Sequence, residues 1–215
     1  MPGKLYLNTV SPLLFSCLQK LMQTDRLAAF RLVGGTALSL QLGHRISVDI
    51  DLFTEATYGS IDFNAIEHYL RNTFDYVDTS AHPNVGIGKP FFIGRNEQES
   101  IKLDLYYCDP FVFPAVQTDW IRMADIRDII AMKLQVIAGG GRKKDFWDLH
   151  ELLDHYSIQS MIAFHAARYP HEHNEAQLLA GLTNFANADH DFEPLCQRGK
   201  HWELIRLDII QALHS

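Results

Sequence analysis

The sequence has few cysteines and no long apolar run. Cys17, Cys108 and Cys196 are the three cysteines in 215 residues. They lie far apart, and an odd number does not suit a secreted disulfide framework. No stretch approaches the roughly 20 apolar residues that a membrane span needs, and the first residues lack the basic segment and apolar run of a secretion signal. We therefore expect a cytoplasmic protein that is neither exported nor inserted into a membrane.

The chain also lacks an excess of positive charge. It has 19 lysines and arginines against 26 aspartates and glutamates, a formal net charge of −7. Nonspecific binding to nucleic acid depends on clustered cations, so a nucleic-acid partner would need a local basic patch. The two candidates are the run 142–144 and the pair Arg198 and Lys200. Either can equally be solvated surface charge.

The remaining composition is that of an ordinary folded protein, with 47% hydrophobic and 21% charged residues. Hydrophobic periodicity predicts helices over about 11–29, 36–42 and 62–74, and strands over 30–33, 47–53, 76–79, 85–93 and 100–107. After Pro110 and Pro114 every pattern is helical, over roughly 125–138, 143–156, 158–168, 174–186 and 201–213. We therefore predict an α+β fold. Residues 1–110 form a mixed sheet of about five strands with flanking helices, and a helical region over 111–215 packs on it.

Two aspartates share one face of a predicted strand. Residues 48, 50 and 52 are apolar and alternate with Asp49 and Asp51, which is the period of a strand with one buried face. Positions i and i+2 of a strand lie about 6.6 to 6.8 Å apart, so both carboxylates can reach one or two hard cations. Alternatively, such a pair is a solubility device on an edge strand.

Two further features favour the metal site. In the strand pattern SIKLDLYY, Asp104 lies on a polar face, and three acids at strand centres are costly unless cations balance them. Gly34, Gly35 and Thr36 precede a predicted helix, where backbone N–H groups can face a phosphate and the missing Cβ atoms permit close approach. A phosphate pocket beside a metal pocket suits a nucleotide.

The run GGTALSLQLGHRISVDIDLF resembles the signature of the AbiEii/AbiGii toxin-type nucleotidyltransferases, which belong to the polymerase-β-like nucleotidyltransferase superfamily. Members share a glycine pair or Gly-Ser, then a D-x-D motif on the following strand and an acid on a later strand. These positions correspond here to Gly34 with Gly35, Asp49 with Asp51, and Asp104. The resemblance implies that the three acids bind Mg²⁺ or Mn²⁺.

The segment DIIAMKLQVIAGGGRKKDFWDLHEL is similar to later motifs of the family, so the resemblance covers about residues 30–155. It implies that Lys133 and Asp145 join the site, and that Lys133, with Arg142 or Lys144, neutralises triphosphate charge. Without the resemblance, Lys133 reads as a solvated surface lysine and Asp145 as a partner in helix ion pairs. The last sixty or so residues match no recognised motif.

Two positions near the D-x-D motif allow more than one interpretation. Some relatives carry a serine where this chain has Gly35, so a hydroxyl for the phosphates comes from Thr36 or Ser47 or is absent. His44 and Arg45 either contact a phosphate or base or simply form a turn before the strand.

The resemblance implies an enzyme that moves a nucleoside monophosphate from an NTP to a hydroxyl or phosphate of RNA, such as tRNA, or of a protein. It also implies a toxin–antitoxin or phage-defence setting, with an antitoxin protein as a partner. Two alternatives remain open from the residues: a catalytically silent nucleotide-binding module that acts through a protein partner, and a metal-dependent phosphohydrolase that uses water as acceptor.

Overall fold

The computed structural model describes residues 5–79 and 86–214. Up to Tyr107 the elements are α1 (Pro12–Gln23), β1 (Arg31–Leu32), α2 (Gly34–Leu42), β2 (Ile50–Thr54), α3 (Phe63–Thr73), β3 (Tyr76–Asp78), β4 (Gly88–Gly94) and β5 (Ser100–Tyr107). There follow β6 (Val116–Thr118), β7 (Ile121–Met123), α4 (Ile126–Ala138), α5 (Lys143–Leu152), α6 (Ile158–Arg168), α7 (Glu175–Thr183), α8 (Ala186–Asp189) and α9 (Trp202–Ala212). No helix in these ranges is long and apolar enough to cross a membrane.

The strands form a seven-stranded mixed sheet in the order β3-β4-β5-β2-β1-β7-β6. Strand β2 runs parallel to β5 and places Asp51 opposite Asp104, while β1 is antiparallel to β2. The predicted α+β class, with a mixed sheet and a largely helical second half, is confirmed. The sheet has two strands more than the five or so expected.

The expectation that no strand follows Pro110 is wrong. Strands β6 and β7 pair with each other, and β7 joins the sheet by running parallel to β1. Each has only three residues, so its alternation is too short to stand out from the surrounding sequence. Strands from both sides of residue 110 thus share one sheet, and the division into two domains at that point stays a prediction.

Several boundaries also shift. The first helix ends at Gln23 instead of near residue 29, because Thr24 caps a separate 3₁₀ turn. The glycine pair lies inside α2 and not in a turn before it. Strand β2 starts at Ile50, so Asp49 precedes it, and the expected inward-facing Val48 is 61% exposed. The strand predicted over 85–93 is β4; Val85 lies outside the described residues.

Helix α4 connects the glycine segment to the C-terminal helices. Its N-cap Asp125 accepts a hydrogen bond from the backbone N–H of Arg127, which satisfies one of the free donors of the first turn. The helix packs against α2, α5, α6 and α7. One hydrophobic core runs from α1 to α9, with Phe146 and Trp147 among its largest buried side chains. This packing brings α4 and α5 beside the aspartates of the sheet.

Candidate active site

Segments far apart in the sequence meet around a pocket of about 180 Å³. Its walls come from the β1–α2 junction, the segment leading into β2, helix α4 and the start of α5. Ten of the residues expected at the site line it: Gly34, Gly35, Arg45, Ser47, Asp49, Asp51, Lys133, Arg142, Lys144 and Asp145. The structure therefore brings both halves of the predicted constellation together. Thr36 and Asp104 are not part of the lining.

The carboxylates on the sheet carry more negative charge than the neighbouring side chains offset. Burial and the repulsion of Asp104 and Asp49 raise the pKa of Asp51 to about 6. One carboxylate oxygen of Asp104 bonds the Lys102 ammonium, but the other, Oδ1, is buried with no hydrogen-bond partner among the described residues. Such an arrangement is stable only when a cation or a proton balances it.

The oxygen donors of this site match those that Mg²⁺ prefers. Within residues 5–79 and 86–214, no three histidine, cysteine, aspartate or glutamate side chains form a ready-made metal cluster. Mg²⁺ seldom needs one, because it is usually held by one or two carboxylates together with substrate phosphates and water. Oxygen-only donors, the unpartnered Oδ1 of Asp104 and the raised pKa of Asp51 fit Mg²⁺ or Mn²⁺ that binds with the substrate.

The two glycines allow side chains to approach the helix backbone. Gly34 has a φ of +65°, and a Cβ there would lie 2.7 Å from Asp51 Oδ2. A Cβ on Gly35 would lie 2.3 Å from Arg45 Nη2. Larger residues at either position would displace a pocket side chain. In the described structure no side chain caps α2, so the N–H groups of its first turn remain suited to an anion.

The two hydroxyls near the glycines have different surroundings. Thr36 is 1% exposed; its Oγ1 lies 2.8 Å from Ser47 Oγ and also bonds the backbone carbonyl of Asp49. Thr36 thus fixes the segment before β2 onto α2 from outside the pocket, whereas Ser47 lines the pocket. Of the two candidates for the missing family serine, the structure leaves Ser47 within reach of a ligand.

Lys133 is buried between two carboxylates. Its Nζ lies 2.7 Å from Asp145 Oδ1 and 2.7 Å from Asp148 Oδ2. The surface-lysine interpretation is therefore wrong. Burial alone would lower the pKa of Lys133, but Asp148 and Asp145 raise it above its usual value, so the ammonium stays charged.

Asp148 is the centre of this cluster, and sequence reasoning missed it. The side chain is fully buried and accepts two bonds from Arg45, Nε to Oδ1 at 2.6 Å and Nη2 to Oδ2 at 2.8 Å. His44 Nε2 lies 2.8 Å from the same carboxylate. Burial opposes ionisation, yet Arg45 and Lys133 hold the pKa of Asp148 well below its usual value. The available signal was its spacing of three from Asp145 on α5, which places both on one helix face.

These contacts show that His44 and Arg45 lie in the protein interior beside Asp148. They are 0% and 4% exposed, so the pair is not a simple surface turn. Arg45 lines the pocket, but its guanidinium is already bonded to Asp148. Two other cations are more accessible: the Arg142 side chain is 59% exposed, and that of Lys144 is 32% exposed with its Nζ 3.6 Å from Asp49 Oδ2.

A mixed sheet with acids on neighbouring strands, a glycine pair at a helix start and a cationic helical wall define a nucleotidyltransferase-type fold and pocket. The chain belongs to the family described as nucleotidyl transferase AbiEii toxin, type IV toxin–antitoxin system, whose profile matches residues 16–215. The resemblance seen in the sequence is thereby confirmed. The match also covers the C-terminal residues in which no motif was recognised.

Three individual proteins are similar to this chain in sequence or in fold. An uncharacterized protein of Aquifex aeolicus (strain VF5) is 32% identical over 146 residues; the match spans 63% of this chain and 63% of that protein. The structure of JHP933 from Helicobacter pylori superposes with a TM-score of 0.58 at 17% identity, covering 97% of this chain and 90% of that one. MenT4, a nucleotidyltransferase toxin from Mycobacterium tuberculosis, gives 0.56 at 14% identity, covering 86% and 75%. At these identities the structural likeness shows the fold.

Proposed function

We propose that the protein is a Mg²⁺-dependent enzyme, also able to use Mn²⁺, that transfers a nucleoside monophosphate from an NTP to a hydroxyl or phosphate of an RNA or protein acceptor. One observation carries the proposal. Asp49 and Asp51 line a pocket that also contains the accessible cations Arg142 and Lys144, with Lys144 Nζ 3.6 Å from Asp49 Oδ2. A metal triphosphate has both charges that such a pocket requires.

We assign each group of residues a role from its position in the pocket. Asp49, Asp51 and Asp104 would hold Mg²⁺, which supplies charge neutralisation and a lower pKa for the attacking hydroxyl. The first turn of α2 and Ser47 would bind phosphate oxygens, while Arg142 and Lys144 would offset the charge of the leaving pyrophosphate.

In the reaction, the acceptor oxygen bonds to the α-phosphorus as the bond from that phosphorus to the bridging oxygen breaks. The hydroxyl proton passes to a carboxylate of the site. We assign Lys133 and Asp145 to the wall that orients the phosphates, because both line the pocket and are bonded to each other. Their fixed geometry lowers the reorganisation needed in the transition state.

We also propose an antitoxin protein as a partner, on the strength of the family's type IV toxin–antitoxin setting. A cytoplasmic location stays a prediction from the sequence.

The test is product analysis. The protein is incubated with Mg²⁺, bulk tRNA or cell extract, and each of the four NTPs labelled at the α-phosphate. Label in RNA or protein supports transfer. Label only in free nucleoside monophosphate identifies a hydrolase, and nucleotide binding without any product identifies a silent module.

The matched controls are two aspartate-to-asparagine variants. Asp51→Asn alters the carboxylate facing the pocket, whereas Asp154→Asn alters an exposed carboxylate outside it. Transfer should be lost in the first and retained in the second. Equal activity in both would show that the assigned site is wrong.

A further inference from the structure

A second pocket adjoins the active site, and we call it the outer pocket. Its volume is about 390 Å³, and the residues it shares with the first are Arg45, Ser47, Asp49, Arg142 and Lys144. The rest of its wall includes Val48, Phe192 and Leu195. A ligand bound at the shared residues would therefore extend into the outer pocket without crossing bulk protein.

The apolar side chains of the outer pocket are unusually exposed. Phe192 is 94% exposed, Leu195 68% and Val48 61%. A single exposed apolar residue needs no explanation, but several around one pocket beside an active site mark a binding surface. Since Phe192 buries almost none of its ring, core packing does not account for it.

The loop that carries Phe192 is fixed at both ends to the walls of the site. Asp191 Oδ2 accepts a hydrogen bond of 3.1 Å from the backbone N–H of Lys143, at the start of α5. Leu195 O accepts one of 2.9 Å from the backbone N–H of Ile46, in the segment leading into β2. Because the loop is anchored at both ends, little backbone freedom is lost when a ligand stacks on the ring.

From this arrangement we propose that the outer pocket binds the nucleobase of the NTP and that Phe192 is its stacking surface. The inference rests on the proposed transfer reaction. In that reaction the α-phosphate lies at the aspartates. The ribose is attached to the α-phosphate, and the base is attached to the ribose. Asp49 is the carboxylate common to both pockets, and Arg142 and Lys144 also line both.

The position of the third carboxylate argues against the acceptor as occupant. In the proposed reaction, Asp104 would help to hold the Mg²⁺ that lowers the pKa of the attacking hydroxyl. Neither Asp104 nor Asp51 lines the outer pocket. An acceptor held there would approach the α-phosphorus from the Asp49 side, which this assignment gives to the ribose that stays bonded to that phosphate. The outer pocket is thus assigned to the donor nucleotide.

Calorimetry with Mg²⁺ tests the assignment with two probes, a non-hydrolysable α,β-methylene NTP and inorganic triphosphate, which has no base. Phe192→Ala should weaken NTP binding by about five- to tenfold or more, because base–aromatic stacking is lost, and should leave triphosphate binding unchanged. Phe192→Tyr should restore NTP affinity. Leu204→Ala, at a 55% exposed position on α9, is the control for loss of a surface hydrophobe. The melting temperature of each variant should match that of the wild type.

Steady-state transfer gives the second readout. Phe192→Ala should raise the KM for the NTP and leave kcat nearly unchanged. Unchanged NTP affinity, or equal weakening of NTP and triphosphate, would overturn the assignment while leaving the transfer reaction intact. A rise confined to the KM of the acceptor would assign the pocket to the acceptor instead. If the wild type neither binds nor transfers a nucleotide, the proposed function fails, and the assignment fails with it.

Discussion

Two acidic clusters border the same pocket, and their charges are balanced in different ways. On the sheet, Asp51 faces Asp49 and Asp104, and its pKa is raised to about 6 by burial and by their repulsion. On α5, Asp145 and Asp148 are also buried, yet Lys133 and its neighbours lower both pKa values. The protein supplies the cations of the second cluster. In the first, Lys102 and Lys144 pair with Asp104 and Asp49, but no cation in the described structure pairs with Asp51, and we infer that its cation arrives with the substrate.

The largest effect expected is on the balanced cluster. Asp148→Asn should lower the free energy of unfolding by about 3 to 5 kcal/mol, because Arg45 and Lys133 would remain buried without their shared counter-ion. Chemical denaturation measures this, with Asp154→Asn expected within about 0.5 kcal/mol of wild type. A loss as small as that of the control would mean that Asp145 alone can balance both cations.

The sheet cluster should respond in the opposite way. Asp51→Asn should reduce transfer by about a hundred- to a thousandfold, since the group that holds the metal triphosphate loses its charge. The same change relieves repulsion, so the metal-free variant should be at least as stable as the wild type. Activity assays and denaturation of the same preparation check both halves. If Asp51→Asn were active but less stable than the wild type, Asp51 would serve stability and not transfer, which contradicts the distinction between the clusters.

The difference in stability between wild type and Asp51→Asn should depend on pH. The folded-state pKa of Asp51, about 6, is above its ordinary value of 3.8, so ionisation costs stability. The stabilising contribution of the protonated form is present below about pH 4 and is lost as the pH rises through 6. Asparagine cannot ionise. Without metal, the free energy of unfolding of the variant should therefore rise relative to that of the wild type by about 1 to 3 kcal/mol across that window.

Metal-free denaturation at pH 4, 5, 6 and 7 records this difference. Saturating Mg²⁺ and NTP should reduce it at neutral pH, because bound cations favour the ionised carboxylate. A difference that is flat with pH would show that Asp51 titrates normally.

The smallest effect concerns the accessible cations. Arg142→Ala combined with Lys144→Ala should raise the KM for the NTP about tenfold, equivalent to the loss of one charge-assisted hydrogen bond. Both side chains are partly exposed, so stability should change little. Arg95→Ala, at a 68% exposed side chain, is the control. Kinetics that match the control would remove these residues from the phosphate site.

Sequence by itself determined the elements whose signal is local. Strand β5 and helix α6 have the predicted bounds, because eight or more residues of regular periodicity were available in each. The glycine pair and the D-x-D motif were readable for the same reason, since each is a contiguous run. The AbiEii resemblance then named a family that the profile match confirms.

Tertiary structure decided what depends on distant partners. Strands β6 and β7 have three residues each. Strand β7 joins the sheet by pairing with β1, about ninety residues earlier in the chain, and β6 joins it through β7. Asp148 reads as an ordinary helix carboxylate until Arg45, 103 positions away, is found bonded to it. The total charge and the burial around each acid determine whether the protein itself neutralises that acid or a bound cation must do so. This balance is established only when the chain folds, because the contributing side chains come from segments that no local sequence pattern connects.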